Sequence, residues 1–142
     1  AGRAIVAARR GKGRTKLTAS FRPRPIMPAR QHRITRGEDY RRVVRTGRRV
    51  GGALCITHAV LHVPGDPARF GFIVSKAVGN AVVRNRVRRR LTTIIERRLQ
   101  SGMTGVDVVF RALPSTADAE FSALEAEVNR SLDRITPVRA TP

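Results

Sequence analysis

The chain has 142 residues, the length of one domain with a tail, and its 29 Lys+Arg against 10 Asp+Glu give a formal net charge of +19. Apolar residues make up 41% and aromatics 4%, with no Trp and one Tyr, enough for one modest core and not for two. No run approaches the roughly 18 apolar residues of a membrane span, Ile5-Val6-Ala7-Ala8 is too short for a secretory signal core, and the single Cys55 excludes an internal disulfide framework and a multi-Cys zinc site.

Residues 1–30 differ from the rest. Ala1–Arg14 is basic and interrupted by glycines, and Pro23, Pro25 and Pro28 place three prolines in six residues. That spacing forbids a continuing helix or a central strand. The segment is expected to be a disordered basic arm without a core of its own. Met27-Pro28 has the form of an internal translation start. The domain is assigned to 31–137 and a short tail to 138–142.

Within the domain, Thr35 and Glu38 have the spacing of a capping box. Asp39 adds negative charge to the first turn, and Tyr40, Val43, Val44 and Gly47 predict a helix over 36–46. Residues 54–63 alternate as a strand. Leu54, Ile56, His58, Val60 and His62 share one face; Cys55, Thr57, Ala59, Leu61 and Val63 share the other. Pro64-Gly65-Asp66-Pro67 is a turn, and 69–76 reads as a second strand, so 54–76 is expected to be a hairpin. Gly79-Asn80 ends that strand and caps a helix over 81–100. Val83, Val87, Leu91, Ile94 and Ile95 form its apolar stripe, and Ser101-Gly102 stops it. A third strand over 106–111 and a last helix over 118–135 follow, the helix burying Phe121, Leu124, Val128, Leu132 and Ile135. The order α-β-β-α-β-α predicts an α+β fold, a two-layer α/β sandwich around one sheet.

The charge is unevenly placed. Residues 1–100 hold 25 Lys+Arg and 4 acids, net +21, whereas 101–142 hold 4 Arg and 6 acids, net −2. So concentrated a field points to a polyanion, nucleic acid before a membrane surface. Five arginines fall within seven residues, at Arg84, Arg86, Arg88, Arg89 and Arg90. On a helical wheel Asn85, Arg86, Arg88 and Arg89 project away from the apolar stripe, with Arg84 and Arg90 on its edges. Like charges at this spacing repel, and a phosphate backbone supplies counter-anions through bidentate guanidinium pairing. Asn85 adds a neutral donor and acceptor for a phosphate, a sugar hydroxyl or a base edge. The plain alternative is a solvated basic face, which normally mixes signs.

Catalytic constellations are missing. His32, His58 and His62 are the only histidines, and the pair sharing a strand face has no third ligand close in sequence. Five of the ten acids lie in 118–133, on what reads as the solvated face of a helix. No nucleophile elbow, Walker loop, dinucleotide fingerprint or clustered carboxylates of a two-metal nuclease occur, and no catalytic residue is assigned.

Ser75-Lys76, Gly79-Asn80-Ala81-Val82 and Arg84-Asn85-Arg86-Val87-Arg88-Arg89 resemble the signature of the bacterial ribonuclease P protein subunit family. The resemblance runs from about Pro28 to Pro137 and includes Arg111-Ala112-Leu113-Pro114 after the third strand. Arg90, Thr92 and Val44 depart from it: they stand where relatives often carry an apolar residue, an arginine and a second aromatic. The resemblance implies the fold of ribosomal protein S5 domain 2, with a left-handed β-α-β crossover against the usual right-handed rule. It implies a cytoplasmic protein that binds a catalytic RNA, one protein per RNA, and grips the 5′ leader of precursor tRNA. The RNA performs the Mg²⁺-assisted cleavage, with Mg²⁺ held mainly by RNA and substrate. RNA-binding residues carried over are Lys76, Asn80, Arg84, Asn85, Arg86, Arg88, Arg89 and Arg90. The leader cleft would be lined by Tyr40, Val44, Ile56 and His58. Ala1–Ala19 is similar to the tail of a small arginine-rich protein of the large ribosomal subunit, which adds nonspecific RNA affinity. Besides the ribozyme subunit, a structural ribosomal or general RNA-binding protein, an autonomous nuclease and a DNA-binding protein would share the charge.

Overall fold

A computed structural model describes residues 27–135; residues 1–26 of the expected arm and everything from 136 on lie outside the described residues, whereas at the end of that arm Pro28 is buried and Arg30 opens a short 3-10 turn, Arg30–His32. Helix α1 spans Gly37–Thr46 and opens after Arg36, whose extended backbone (φ −91°, ψ 137°) makes it the N-cap. The expected capping box is therefore not formed. Thr35 lies one residue outside the cap, no side chain caps the helix, and Glu38 pairs with Arg36 instead, at 3.2 Å. Gly47 ends α1 as expected, for a spatial reason: a Cβ there would overlap Val43 O and lie 2.7 Å from Ala59 O.

A strand absent from the sequence reading follows, β1 (Arg48–Gly51). Two arginines and a glycine around one valine carry no strand signal, and the strand is made by its partner. It pairs antiparallel with β2 (Cys55–Leu61), from Arg48 opposite Ala59 to Gly51 opposite Ile56. Edge arginines suit an unpaired strand border.

The expected hairpin is overturned. The sheet order is β1-β2-β4-β3, so β3 (Arg69–Ile73) and β2 never pair. Between them lies β4 (Val106–Ala112), antiparallel to β2 and parallel to β3. The cause is apolar content: β4 is buried along its length save Arg111, and such a strand takes the centre, where both faces are covered. The loop after β2 turns away through Gly65 (φ 95°) and docks on the turn before β4, where Gly105 N donates to Asp66 O.

A parallel pair needs a long crossover. Helix α2 (Ala81–Gln100) supplies it, capped by Asn80 Oδ1 accepting from Val83 N at 3.0 Å. With α3 (Phe121–Ile135) it covers one sheet face. That core holds Phe70 stacked with Phe110 (centroids 6.3 Å), Val87, Leu91, Ile94 and Ile95 from α2, and Leu124, Val128 and Leu132 from α3. The opposite face carries α1 through a smaller cluster of Ile34, Val43 and Val109, with Tyr40, Val44, Val60 and Ile73 packed against it.

Two buried carboxylates lock these layers, and neither was read as structural from the sequence. Glu127, placed on a solvated face, is buried. Its carboxylate accepts from the backbone N–H groups of Ala53, Leu54 and Cys55 at 2.8–3.2 Å, tying α3 to the loop before β2. Burial, and then the Glu127 charge, push the Cys55 thiol up to about 12, which makes it a packing residue. Asp107 on β4 receives Arg69 Nε and Nη2 at 3.0 and 2.7 Å and Arg42 Nη2 of α1 at 3.0 Å, and His62 Nε2 lies 3.2 Å away. Burial alone would raise Asp107; the hydrogen bonds from Arg69 and Arg42 outweigh it and hold the carboxyl below its ordinary value.

Glu127→Ala leaves three backbone donors without their acceptor and is expected to cost about 2–4 kcal/mol in denaturant unfolding; a change under about 0.5 kcal/mol would remove the lock. Asp107 has a depressed native pKa, so its stabilisation is present above the unfolded carboxyl value of about 3.9 and lost as pH falls through the lower native value. Denaturation midpoints of the chain should therefore fall with pH below about 4, and less steeply in Asp107→Asn.

Candidate nucleic-acid interface

The first turns of α2 carry the arginine cluster. Among the described residues, ion pairs involve Arg36, Arg42, Arg69, Arg97, Arg98 and His62, and none reaches Arg84, Arg86, Arg88, Arg89 or Arg90. Their mutual repulsion is thus uncompensated by protein carboxylates. Several are instead held by neutral acceptors. Arg84 Nε donates to Gly79 O (3.1 Å), Arg88 Nη1 to Asn85 Oδ1 (3.2 Å), Arg86 Nη2 to Ala117 O (3.1 Å) and Arg90 Nη1 to Ala119 O (2.8 Å). Each guanidinium has five donors, so these hydrogen bonds orient the forks and leave most donors for an anion.

The wheel expectation holds for Arg86 and Arg89, which are exposed. Asn85 and Arg88 are half-buried, because their flank turns toward α1, where the Arg88 charge is felt by the Tyr40 phenol. Lys76 is exposed in the loop after β3, and Asn80 spends its side-chain oxygen on the helix cap.

Under α1 lies a groove of about 360 Å³ lined by Tyr40, Arg41, Val44, Arg45 and Ile73. Tyr40 lies on β3 where Gly71 leaves room; a Cβ at Gly71 would come within 2.5 Å of its ring. Burial raises the phenol pKa, offset in part by the Phe72 backbone and the Arg88 charge. Ile56 and His58 share this sheet face but are set apart from the groove lining. Ile56 pairs with Arg111, which pairs with Ile73, so the two isoleucines stand two strand spacings apart, roughly 10 Å. His58 is buried between the register positions of Arg49 and Val109. Burial first, then the charges of Arg49 and Arg111, lower its pKa and favour the neutral ring.

The structure therefore brings Tyr40 and Val44 together and places Ile56 and the buried His58 on the same sheet face, apart from the groove. It adds residues that sequence reading missed: Ile73 and Gly71 on β3, Arg41 and Arg45 on α1, and Arg49 and Arg111 on the sheet face. Arg41 and Arg45 were visible as a basic i, i+4 pair beside Tyr40 and Val44. Arg49 and Arg111 needed the register. Among the described residues no three His, Cys, Asp or Glu side chains come together to hold a metal ion, and no helix is long and apolar enough to cross a membrane.

Comparison with known proteins identifies the family. The family described as Ribonuclease P matches residues 27–136. The chain belongs to the ribonuclease P protein family. It is 42% identical over 113 residues to the ribonuclease P protein component of Streptomyces bikiniensis, covering 74% of this chain and 92% of that protein. With the component of Beutenbergia cavernae it shares 44% over 107 residues, 75% of this chain and 89% of that protein. The solved Staphylococcus aureus RNase P protein has the same fold, with a TM-score of 0.66 at 23% identity over 72% of this chain and 94% of that one. The Thermotoga maritima RNase P protein gives 0.65 at 19% identity, over 73% and 97%. Family membership makes the chain a protein subunit of ribonuclease P.

Tyr40 is the only tyrosine and the chain has no Trp. Absorbance titration near 295 nm therefore reports it alone, and its ionisation is expected above the ordinary value of about 10. Gly71→Ala should push the ring off β3 and bring its titration back toward that value; an unchanged curve would show that Gly71 does not seat the ring.

Proposed function

We propose that this subunit binds the catalytic RNA of ribonuclease P through the opening turns of α2 and holds the 5′ leader of precursor tRNA along the groove under α1. The observation that carries the reading is the contiguity of two surfaces: an arginine cluster without ion pairs, whose Arg88 flank borders an aromatic-apolar groove rimmed by further arginines. A folded RNA neutralises the first through its phosphates. A single strand suits the second, where bases meet Tyr40, Val44 and Ile73 while the backbone meets Arg41 and Arg45. Ile56, Arg49 and Arg111 continue that path across the sheet, with the His58 ring buried among them.

The chemistry in this reading is endonucleolytic removal of the leader to form the mature tRNA 5′ end. Mg²⁺ would supply the activated water and charge stabilisation for phosphodiester cleavage. In this reading RNA and substrate would hold it. The protein's part is positioning: it adds affinity for the leader, which the product lacks, and so favours precursor over mature tRNA. One protein per RNA, in the cytoplasm, completes the proposal.

Reconstitution with a catalytic RNA at low Mg²⁺ tests this directly. Cleavage of leader-bearing precursor should rise with added protein, and Tyr40→Ala or Arg41→Ala/Arg45→Ala should weaken precursor binding more than mature tRNA binding. Equal losses for both would assign Tyr40 to packing and the protein to general RNA binding. Arg86→Ala/Arg89→Ala should lower affinity for the catalytic RNA and reduce its log–log salt slope by about one for each phosphate no longer neutralised. Cleavage by RNA-free protein would refute the reading.

A further inference from the structure

On the flank of α2 away from Tyr40, the helix and the segment entering α3 enclose a second groove, of about 340 Å³. Arg86, Arg89, Arg90, Thr93, Arg97 and Phe121 line it. Its chemistry differs from that of the α1 groove. The Arg97 guanidinium lies over the Phe121 ring, 5.4 Å from the centroid, and its Nη1 meets Glu125 Oε2 at 2.6 Å. Ring and carboxylate together fix the group while its side chain stays 55% exposed. A planar guanidinium held on an aromatic ring presents its outer face as a stacking surface. At the other end Arg86 and Arg90 are anchored on the carbonyls of Ala117 and Ala119, and Arg89 is exposed beside them. Four arginines therefore face one paired carboxylate, Glu125. Asp118 and Glu120, in the neighbouring segment, form no ion pair with any of them.

We propose that this groove takes one unstacked nucleotide of an RNA strand, its phosphate on Arg86, Arg89 and Arg90 and its base on the Arg97 guanidinium backed by Phe121. The proposal rests on reading α2 as an RNA-binding helix, and adds a base-stacking subsite beyond the arginines at 84–90. An anion alone needs no platform; a phosphate joined to a flat base uses both halves of the groove. An acidic peptide would satisfy the charges and leave the platform idle.

The test uses the full chain with ¹³C-labelled phenylalanine, the Phe121 signals being assigned through Phe121→Leu. The probes are the pentanucleotide UUAUU, an abasic ribose-phosphate oligomer of equal charge, and pentaglutamate. They are titrated into a Tyr40→Ala background, which weakens the other groove. UUAUU is expected to shift the Phe121 ring signals, and Arg97→Lys, which keeps the charge and removes the plane, should bind it about fivefold or more weakly. The abasic oligomer should bind both chains alike. An unmoved Phe121, equal UUAUU affinity in Arg97→Lys, or an equal Phe121 shift with pentaglutamate would overturn the subsite. Arg97 is largely exposed, so Arg97→Lys should melt with the parent chain. Failure here with leader-dependent cleavage intact removes the subsite alone. Success here with no stimulation of the catalytic RNA removes the ribozyme reading alone.

Discussion

The placement of β4 governs the rest of the molecule. It is buried on both faces, so it must lie inside the sheet with cover above and below. Pairing it antiparallel to β2 and parallel to β3 forces a helix between β3 and β4, and that helix is α2. The face left by α2 and α3 is closed only in part by α1, and its open remainder is the groove. The groove and the exposed helix beside it are both consequences of how one apolar strand is covered.

The electrostatics divide along the same line. Where charge serves the fold it is paired and buried: Asp107 gathers Arg42 and Arg69 to bind α1 to the sheet, and Glu127 gathers three backbone N–H groups to bind α3 to the loop before β2. On the opening turns of α2 the charge is left without carboxylates and held by carbonyls, as at Arg84, Arg86 and Arg90. Neutral acceptors orient a guanidinium without cancelling its charge. The arginines of α2 are therefore pre-set and still available, and in the proposed reading this would lower the ordering cost of binding phosphate.

Local signals, periodicity and punctuation by themselves determined α2 and its span Ala81–Gln100, the alternation of β2, a strand over 106–111, the stripe of α3 and the arginine cluster. Each depends on residues within a turn or two of one another. Composition also determined the polyanion partner class, and the motif from Ser75 to Arg89 pointed to the family. Only the tertiary structure decided the rest. β1 exists because β2 offers it an edge, and the hairpin fails because β4 outcompetes β3 for β2. Thr35 loses its cap because Arg36 takes an extended conformation one residue later. Glu127 reads as a surface acid until its three backbone donors are seen, and strand register alone brings Ile73 to Tyr40 and Arg49 and Arg111 to His58. The reason is one of range: helix stripes and caps are short-range properties of the chain, whereas strand partners, carboxylate locks and groove walls unite residues far apart in the sequence, which no local pattern encodes.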